Sequence, residues 1–365
     1  MEAVVFIGGS IKEGFSSPTS GESRWAQNLA KMLAERGHNV DVVANAVWDP
    51  PSWGATTPLS NVRLLSLIDS EKEYDIAIYV PWEYQVYENN QYTPWRPCHE
   101  VPLKAKWYIH CTFSWTHSLV DKRCWQDNHI LAYPYIQEDN QFKSNVDINP
   151  FKTFPLPYPI FDSFDDVDLE NKKDILWACK DVFHPGWEGK GEHVPRIGMD
   201  ILHNIKKLSE EFDFNFNVLS IRFFDPKLSS IAAKHKPLEF IKTIPNTTLH
   251  ELIPKNKLLD ILRRSRLNVI VSGLFGSFGE SITTGCAPLC YRGHIYRAAA
   301  EECDIKLDDV GVSREELFEV MYKLYTDDDF YMKYILACRR EMRYYSFDES
   351  YKYFVKMSEE LGLDI

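Results

Sequence analysis

The chain opens Met1-Glu2-Ala3-Val4-Val5-Phe6-Ile7-Gly8-Gly9, a short buried-type strand that runs straight into a glycine turn. A helical pattern follows from about Ser23, with Trp25, Leu29 and Met32 on one face, and Gly37 supplies a stop. The strand Val40-Asp41-Val42-Val43 comes next. Strand, glycine loop, helix and strand in that order make a βαβ unit, and its crossover demands a parallel sheet. Few architectures can begin this way. The same alternation returns in the second half, so the chain is read as α/β throughout.

At 365 residues, 44% hydrophobic, the chain suits two packed domains. Further strands are expected at 74–80, 105–110 and 130–136. The segment 82–102, full of Tyr, Trp, Asn and Pro, has neither period and reads as a long surface loop. An acidic run, Asp162, Asp165, Asp166, Asp168 and Glu170, marks a boundary. We therefore expect domains at 1–165 and 166–345, then a final helix over 346–365. In the second domain, strands are expected at 174–179, 214–221, 238–244, 267–271 and 288–291. Helices are expected from Pro195 with Ile201, Ile205 and Leu208 inward, and over 255–264. Ser313-Arg314-Glu315-Glu316 is a capping box that opens a helix with Leu317, Val320 and Leu324 inward. Two more helices follow from about Asp327 and Asp348, with Asp327-Asp328-Asp329 favouring a helix start.

Composition narrows the classes. No run of eighteen apolar residues is present, so no membrane-spanning helix is expected. The start lacks the pattern of a signal peptide, and a cytoplasmic location is the expectation. The net charge of −12 disfavours a nucleic-acid face, although a local basic cleft is compatible with it. Eight scattered cysteines, with no Cys-x-x-Cys pair, read as reduced core thiols rather than a zinc site.

Ligands of doubly wound sheets bind outside the carboxyl ends of strands, which directs attention to three loops. The first, 8–21, is rich in Gly, Ser and Pro and includes Gly9, but lacks Gly-x-Gly-x-x-Gly and P-loop spacing. It is either a ligand loop or a plain connection. The second, 180–196, holds Lys180, Lys190 and Arg196 among three glycines. It is either a phosphate clamp or a solvated loop. The third runs Val271-Ser272-Gly273-Leu274-Phe275-Gly276-Ser277-Phe278-Gly279-Glu280-Ser281, with Gly285 and Pro288 beyond. Backbone N–H groups of a helix starting near Glu280 could hold a diphosphate, and a first-turn carboxylate could accept two ribose hydroxyls. Alternatively Glu280 only offsets the helix dipole.

Phe278-Gly279-Glu280-Ser281 with Gly285 and Pro288 resembles the donor-site signature of GT-B glycosyltransferases, especially the large retaining family 4. Similarity extends to 21–24 and 36–40, which match the opening acceptor-side helix, and to Asn246-Thr247-Thr248 with Ile253-Pro254, beside the nucleotide base. The resemblance implies two doubly wound, Rossmann-like domains facing a central cleft. It implies a nucleotide-sugar donor, UDP- or GDP-linked, as substrate, with no separate cofactor and no metal. Glu280 falls on the glutamate that binds ribose. The position of the first glutamate, which contacts the donor sugar, is held by Ser272, so the sugar is left open. Lys180, with Lys190 or Arg196, corresponds to the diphosphate clamp. His110, ending the strand at 105–110, corresponds to a histidine beside the donor sugar; it could equally be a core residue. His117 and His184 are weaker candidates. Gly9, Ser272, Gly276, Ser277, Phe278, Gly279 and Ser281 complete the expected donor contacts. The expected reaction is transfer to an acceptor hydroxyl with retention, on a glycan, a small molecule or a modified base. The loop 82–95 is expected to shape the acceptor pocket. Rival readings are a sugar-nucleotide epimerase, a phage-type transferase acting on hydroxymethylated DNA, and an inactive binding homologue.

Overall fold

The computed structural model describes residues 1–7, 21–44, 59–65, 71–80, 83–84, 87–88, 91–92, 96–97, 103–111, 127–134, 152–178, 193–219, 236–251, 253, 255–270, 275–290, 297–305 and 313–365. The described chain forms two compact units: Met1–Asp162 with Tyr344–Ile365, and Ser163–Arg343.

The first unit is built on a seven-stranded parallel sheet. Its strands are β1 (Glu2–Ile7), β2 (Asn39–Ala44), β3 (Val62–Leu65), β4 (Glu73–Val80), β9 (Lys104–Cys111), β10 (His129–Tyr133) and β11 (Lys152–Pro155). The spatial order is β3-β2-β1-β4-β9-β10-β11. Strand order reverses at β1/β4, the crevice where doubly wound sheets take ligands. Helix α1 (Gly21–Glu35) buries Trp25, Leu29, Met32 and Leu33, the expected face. It ends at Gly37, whose φ of 85° is left-handed, where a side chain would be strained. Helix α9 (Phe347–Glu360) belongs to this unit. It is tied there by Tyr351 Oη at 2.8 Å from His38 Nε2, by the Arg36–Asp348 ion pair, and by Trp107 Nε1 donating to Leu361 O just beyond it at 3.0 Å.

At the amino ends of these strands, buried Asp41 gathers Arg63 Nη2 at 2.7 Å, Lys72 Nζ at 3.0 Å and Tyr74 Oη at 2.7 Å. Burial alone would raise the Asp41 carboxyl, but the hydrogen bonds from Arg63, Tyr74 and Lys72 outweigh it and hold it below the usual carboxylate range. This network locks β2, β3 and β4 together at the end of the sheet opposite the expected ligand loops.

The second unit repeats the winding on five parallel strands: β12 (Asp174–Trp177), β13 (Phe216–Val218), β14 (Thr247–Leu249), β15 (Ser265–Ile270) and β16 (Ala287–Cys290). Their order, β14-β13-β12-β15-β16, again reverses beside the first strand. Its helices are α2 (His193–Leu208), α3 (Pro237–Ile241), α4 (Lys255–Arg264), α5 (Phe275–Thr283), α6 (Arg297–Glu302), α7 (Arg314–Thr326) and α8 (Asp328–Met342). Two starts follow the expected chemistry. Ser313 and Glu316 form a reciprocal capping box, and Asp327 accepts from Phe330 N. The Lys172 ammonium is buried and donates to the carbonyls of Leu262, Arg263 and Ser265 at 3.0–3.3 Å, closing the end of α4. No described helix is long and apolar enough to cross a membrane.

Four expectations change. Residues 237–241 are helix α3, not a strand. Pro237 supplies a helical φ at its first position, and Lys236 before it is left-handed at φ 45°, which breaks the extended path. The segment 82–102 holds two antiparallel pairs, β5 (Glu83–Tyr84) with β8 (Arg96–Pro97) and, nested inside, β6 (Tyr87–Glu88) with β7 (Gln91–Tyr92). In α7, Met321 is fully buried while Val320 is only partly so, because the stripe turns with the 3.6-residue period. Finally, α5 begins at Phe275, five residues before Glu280.

Candidate functional site

The two switch points position the candidate residues. In the second unit, β12 and β15 lie side by side at the reversal, and the third glycine-rich segment leaves β15 and enters α5. Glu280 is the sixth residue of α5, in its second turn. It therefore does not open the helix, and the first-turn dipole does not account for a carboxylate there. Its side chain is 4% exposed.

α5 is held on the sheet by its neighbours. Ser281 is fully buried, and its Oγ accepts from Asn268 Nδ2 on β15 at 2.6 Å. That bond ties α5 to the sheet. Phe278 is 3% exposed and packs inward as well. Gly279 is buried between them. Thr284 Oγ1 donates to Glu280 O at 3.0 Å and to Ser281 O at 2.9 Å at the helix end. Gly285 stops the helix with a φ of 68°, as the sequence suggested.

Arg196 stands in the first turn of α2, exposed, and pairs with Asp200 one turn on at 3.2 Å. It closes the basic segment at 180–196 and stands on the helix expected from Pro195, which begins two residues earlier at His193. Lys180, Lys190, Gly9 and Ser272 lie outside the described residues, as do His117 and His184. Gly276 and Ser277 are within α5, but their surroundings lie outside the described set.

In the first unit the carboxyl ends of the central strands carry a ring stack. Phe6, Tyr79 and His110 occupy the penultimate positions of β1, β4 and β9, in register across the sheet. Phe6 stacks on Tyr79 with centroids 4.7 Å apart, and Tyr79 on His110 at 5.3 Å. His110 continues onto His129 at 5.1 Å, and His129 stacks on Tyr108 at 4.6 Å. The two histidines also meet edge to edge, His110 Nε2 lying 3.0 Å from His129 Nδ1. Such a contact needs one of the two facing nitrogens to carry a proton and the other to lack it. Both histidines are buried. His129 was invisible in the sequence, because only the β9/β10 register brings it beside His110.

The described thiols are core groups. Burial pushes Cys286 up to about 12, and Cys111 and Cys338 higher still, so none is poised as a nucleophile. Among the described residues no cluster of three or more His, Cys, Asp or Glu is arranged to hold a metal ion.

No protein-family model matches the sequence, and no match was found among curated proteins. Solved structures do match. WaaG, a glycosyltransferase involved in lipopolysaccharide biosynthesis, aligns over 99% of both chains with a TM-score of 0.57 and 13% identity. Sucrose-phosphate synthase from Thermosynechococcus elongatus aligns over 99% of both, with a TM-score of 0.60 and 11% identity. An α-glucosyltransferase in complex with UDP aligns over 99% of this chain and all of its own, with a TM-score of 0.57 and 11% identity. Identities this low speak for architecture. With two parallel, doubly wound sheets and these neighbours, the chain has the GT-B fold of glycosyltransferases.

Proposed function

We propose that the protein is a glycosyltransferase that moves a sugar from a UDP- or GDP-linked donor to an acceptor hydroxyl. The observation that carries this is a GT-B fold along essentially the whole chain with an almost fully buried carboxylate, Glu280, on the helix that leaves the switch-point strand β15. A carboxylate on the helix that follows the switch-point strand can accept charge-assisted hydrogen bonds from the two vicinal hydroxyls of a ribose. In this reading the second unit holds the donor nucleotide. Lys180, with Lys190 or Arg196, offsets the charge of the departing diphosphate, a task cationic side chains can perform without a resident metal. His110 orients the donor sugar, braced by the Tyr79 and His129 rings. The acceptor oxygen bonds to the anomeric carbon, the bond to the diphosphate breaks with its electron pair leaving on the diphosphate, and the acceptor proton passes to that departing oxygen. Retention of configuration and a cytoplasmic setting belong to the same proposal.

Incubation with mixed UDP- and GDP-sugars and three acceptor classes, followed by mass spectrometry, tests it. The acceptors are an oligosaccharide, a small hydroxylated molecule and hydroxymethylated DNA. The expected result is one acceptor gaining one sugar mass while one nucleoside diphosphate is released. Epimer formation without transfer, or no donor consumed, would overturn it.

A further inference from the structure

We infer that Arg339 is a positioning residue for Glu280, acting by clamping the carboxyl end of α5 to the first and last segments of its unit; the functional half of this rests on the donor-site reading above.

The carbonyls at a helix end need partners, and each of the last four of α5 has one. Glu280 O accepts from Thr284 N at 3.2 Å, and Ser281 O from Cys286 N at 2.8 Å. Ile282 O accepts from Gly285 N at 3.1 Å and from Arg339 Nε at 3.4 Å. Thr283 O accepts from Asp165 N at 2.9 Å. The last two bonds come from outside the helix, and they are linked. Arg339 Nη2 donates to Asp165 O at 2.6 Å, so a single guanidinium bridges α8, α5 and the peptide at 163–167. Its plane lies over the Phe164 ring, 4.9 Å from the centroid. Asp165 is itself pinned by Arg263 Nε at 2.9 Å.

The fit leaves little slack. A Cβ on Gly285 would come within 2.8 Å of Val167 Cγ2, so the entering peptide is pressed against the helix stop. Tyr331 on α8 adds a bond to Gly285 O at 2.5 Å. Ile282 and Thr283 lie two and three residues from Glu280, less than one helical turn. Displacing that last turn moves the carboxylate with it. Arg339 is half-buried and far in sequence from every glycine-rich loop, which is why spacing alone does not reveal it.

The experiment has two arms. In the first, amide exchange is followed through residues 280–284 of the ligand-free protein. Arg339→Ala should speed exchange there by about tenfold or more, with Arg339→Lys, which reaches fewer acceptors, in between. Unchanged protection of α5 in Arg339→Ala would overturn the clamp. In the second, UDP and GDP are titrated calorimetrically into the wild type, Arg339→Ala, Glu280→Gln and the double variant. Arg339→Ala should weaken the preferred nucleotide by about tenfold, and the double variant should bind no worse than Glu280→Gln alone. Additive losses would overturn the link to Glu280 while leaving the donor reading intact. Absence of binding by the wild type would overturn the donor reading and the Glu280 link with it, and the exchange arm would still decide the clamp.

Discussion

Gly285 offers a sharp test of how the candidate helix is seated, because two different costs meet at one Cβ. Gly285→Ala places a side chain on a left-handed backbone with φ 68°. That conformation costs roughly 1–2 kcal/mol for a residue with a Cβ. The new methyl also lands 2.8 Å from Val167 Cγ2, well inside contact distance. Forcing an extra carbon into a packed site adds roughly 1–3 kcal/mol. Gly37 separates the two costs, since its φ of 85° carries the same strain while nothing lies within 4 Å of its Cβ position. We expect Gly285→Ala to cost about 3 kcal/mol and Gly37→Ala about 1 kcal/mol. For a unit of this size the former lowers Tm by about 6–12 °C. In a Val167→Ala background, which removes the obstructing methyls, the Gly285→Ala cost should fall to about 1–2 kcal/mol. Thermal and urea melts followed by circular dichroism measure all of these. Equal costs at Gly285 and Gly37, or no relief from Val167→Ala, would refute the packing argument.

The Asp41 network predicts acid sensitivity in the first unit. Asp41 has its carboxyl held below the ordinary value when folded, so its contribution is complete above about pH 4, near the unfolded pKa, and is lost as pH falls through the folded one. Asp41→Asn should cost about 2 kcal/mol at neutral pH and flatten the loss of stability as pH falls below about 4 in urea melts; a wild-type slope that persists in the variant argues against it. His129→Phe keeps a ring on Tyr108 but removes the nitrogen facing His110, so stability should change by only about 1 kcal/mol while turnover falls by about tenfold or more in the donor-consumption assay. Turnover equal to wild type would show that the pair is only packing.

The parallel winding of both sheets was legible in the sequence because strand, glycine-containing segment and helix alternate at 3–37 and again at 174–208 and 267–283. The capping box at Ser313 and the stop at Gly37 appear where local chemistry dictates them. Local chemistry misled at 238–244, where β-branched and aromatic residues suggested a strand but Pro237 and a left-handed Lys236 favoured a helical turn. At 82–102 the two nested pairs are too short to show a period, although Asn89-Asn90 between Glu88 and Gln91 is a tight-turn signal. Glu280 was recognisable from its motif, but its place in the second turn of α5 depends on a start at Phe275 that no capping residue announces. His129 and Arg339 could not be read from spacing at all. Each reaches its partner through strand register or helix packing over a long separation in sequence.

The central claim is that Glu280 grips the ribose of a nucleotide. Calorimetric titration of UDP and GDP into the wild type and Glu280→Gln tests it most directly. Charge-assisted hydrogen bonds contribute roughly 1.5–3 kcal/mol each, so removing the charge while keeping the shape should weaken the preferred nucleotide by about 10–100-fold. The account predicts that loss, with deoxyribose analogues losing affinity for the wild type but not for the variant. Equal affinity of both proteins, or no nucleotide binding at all, would contradict it.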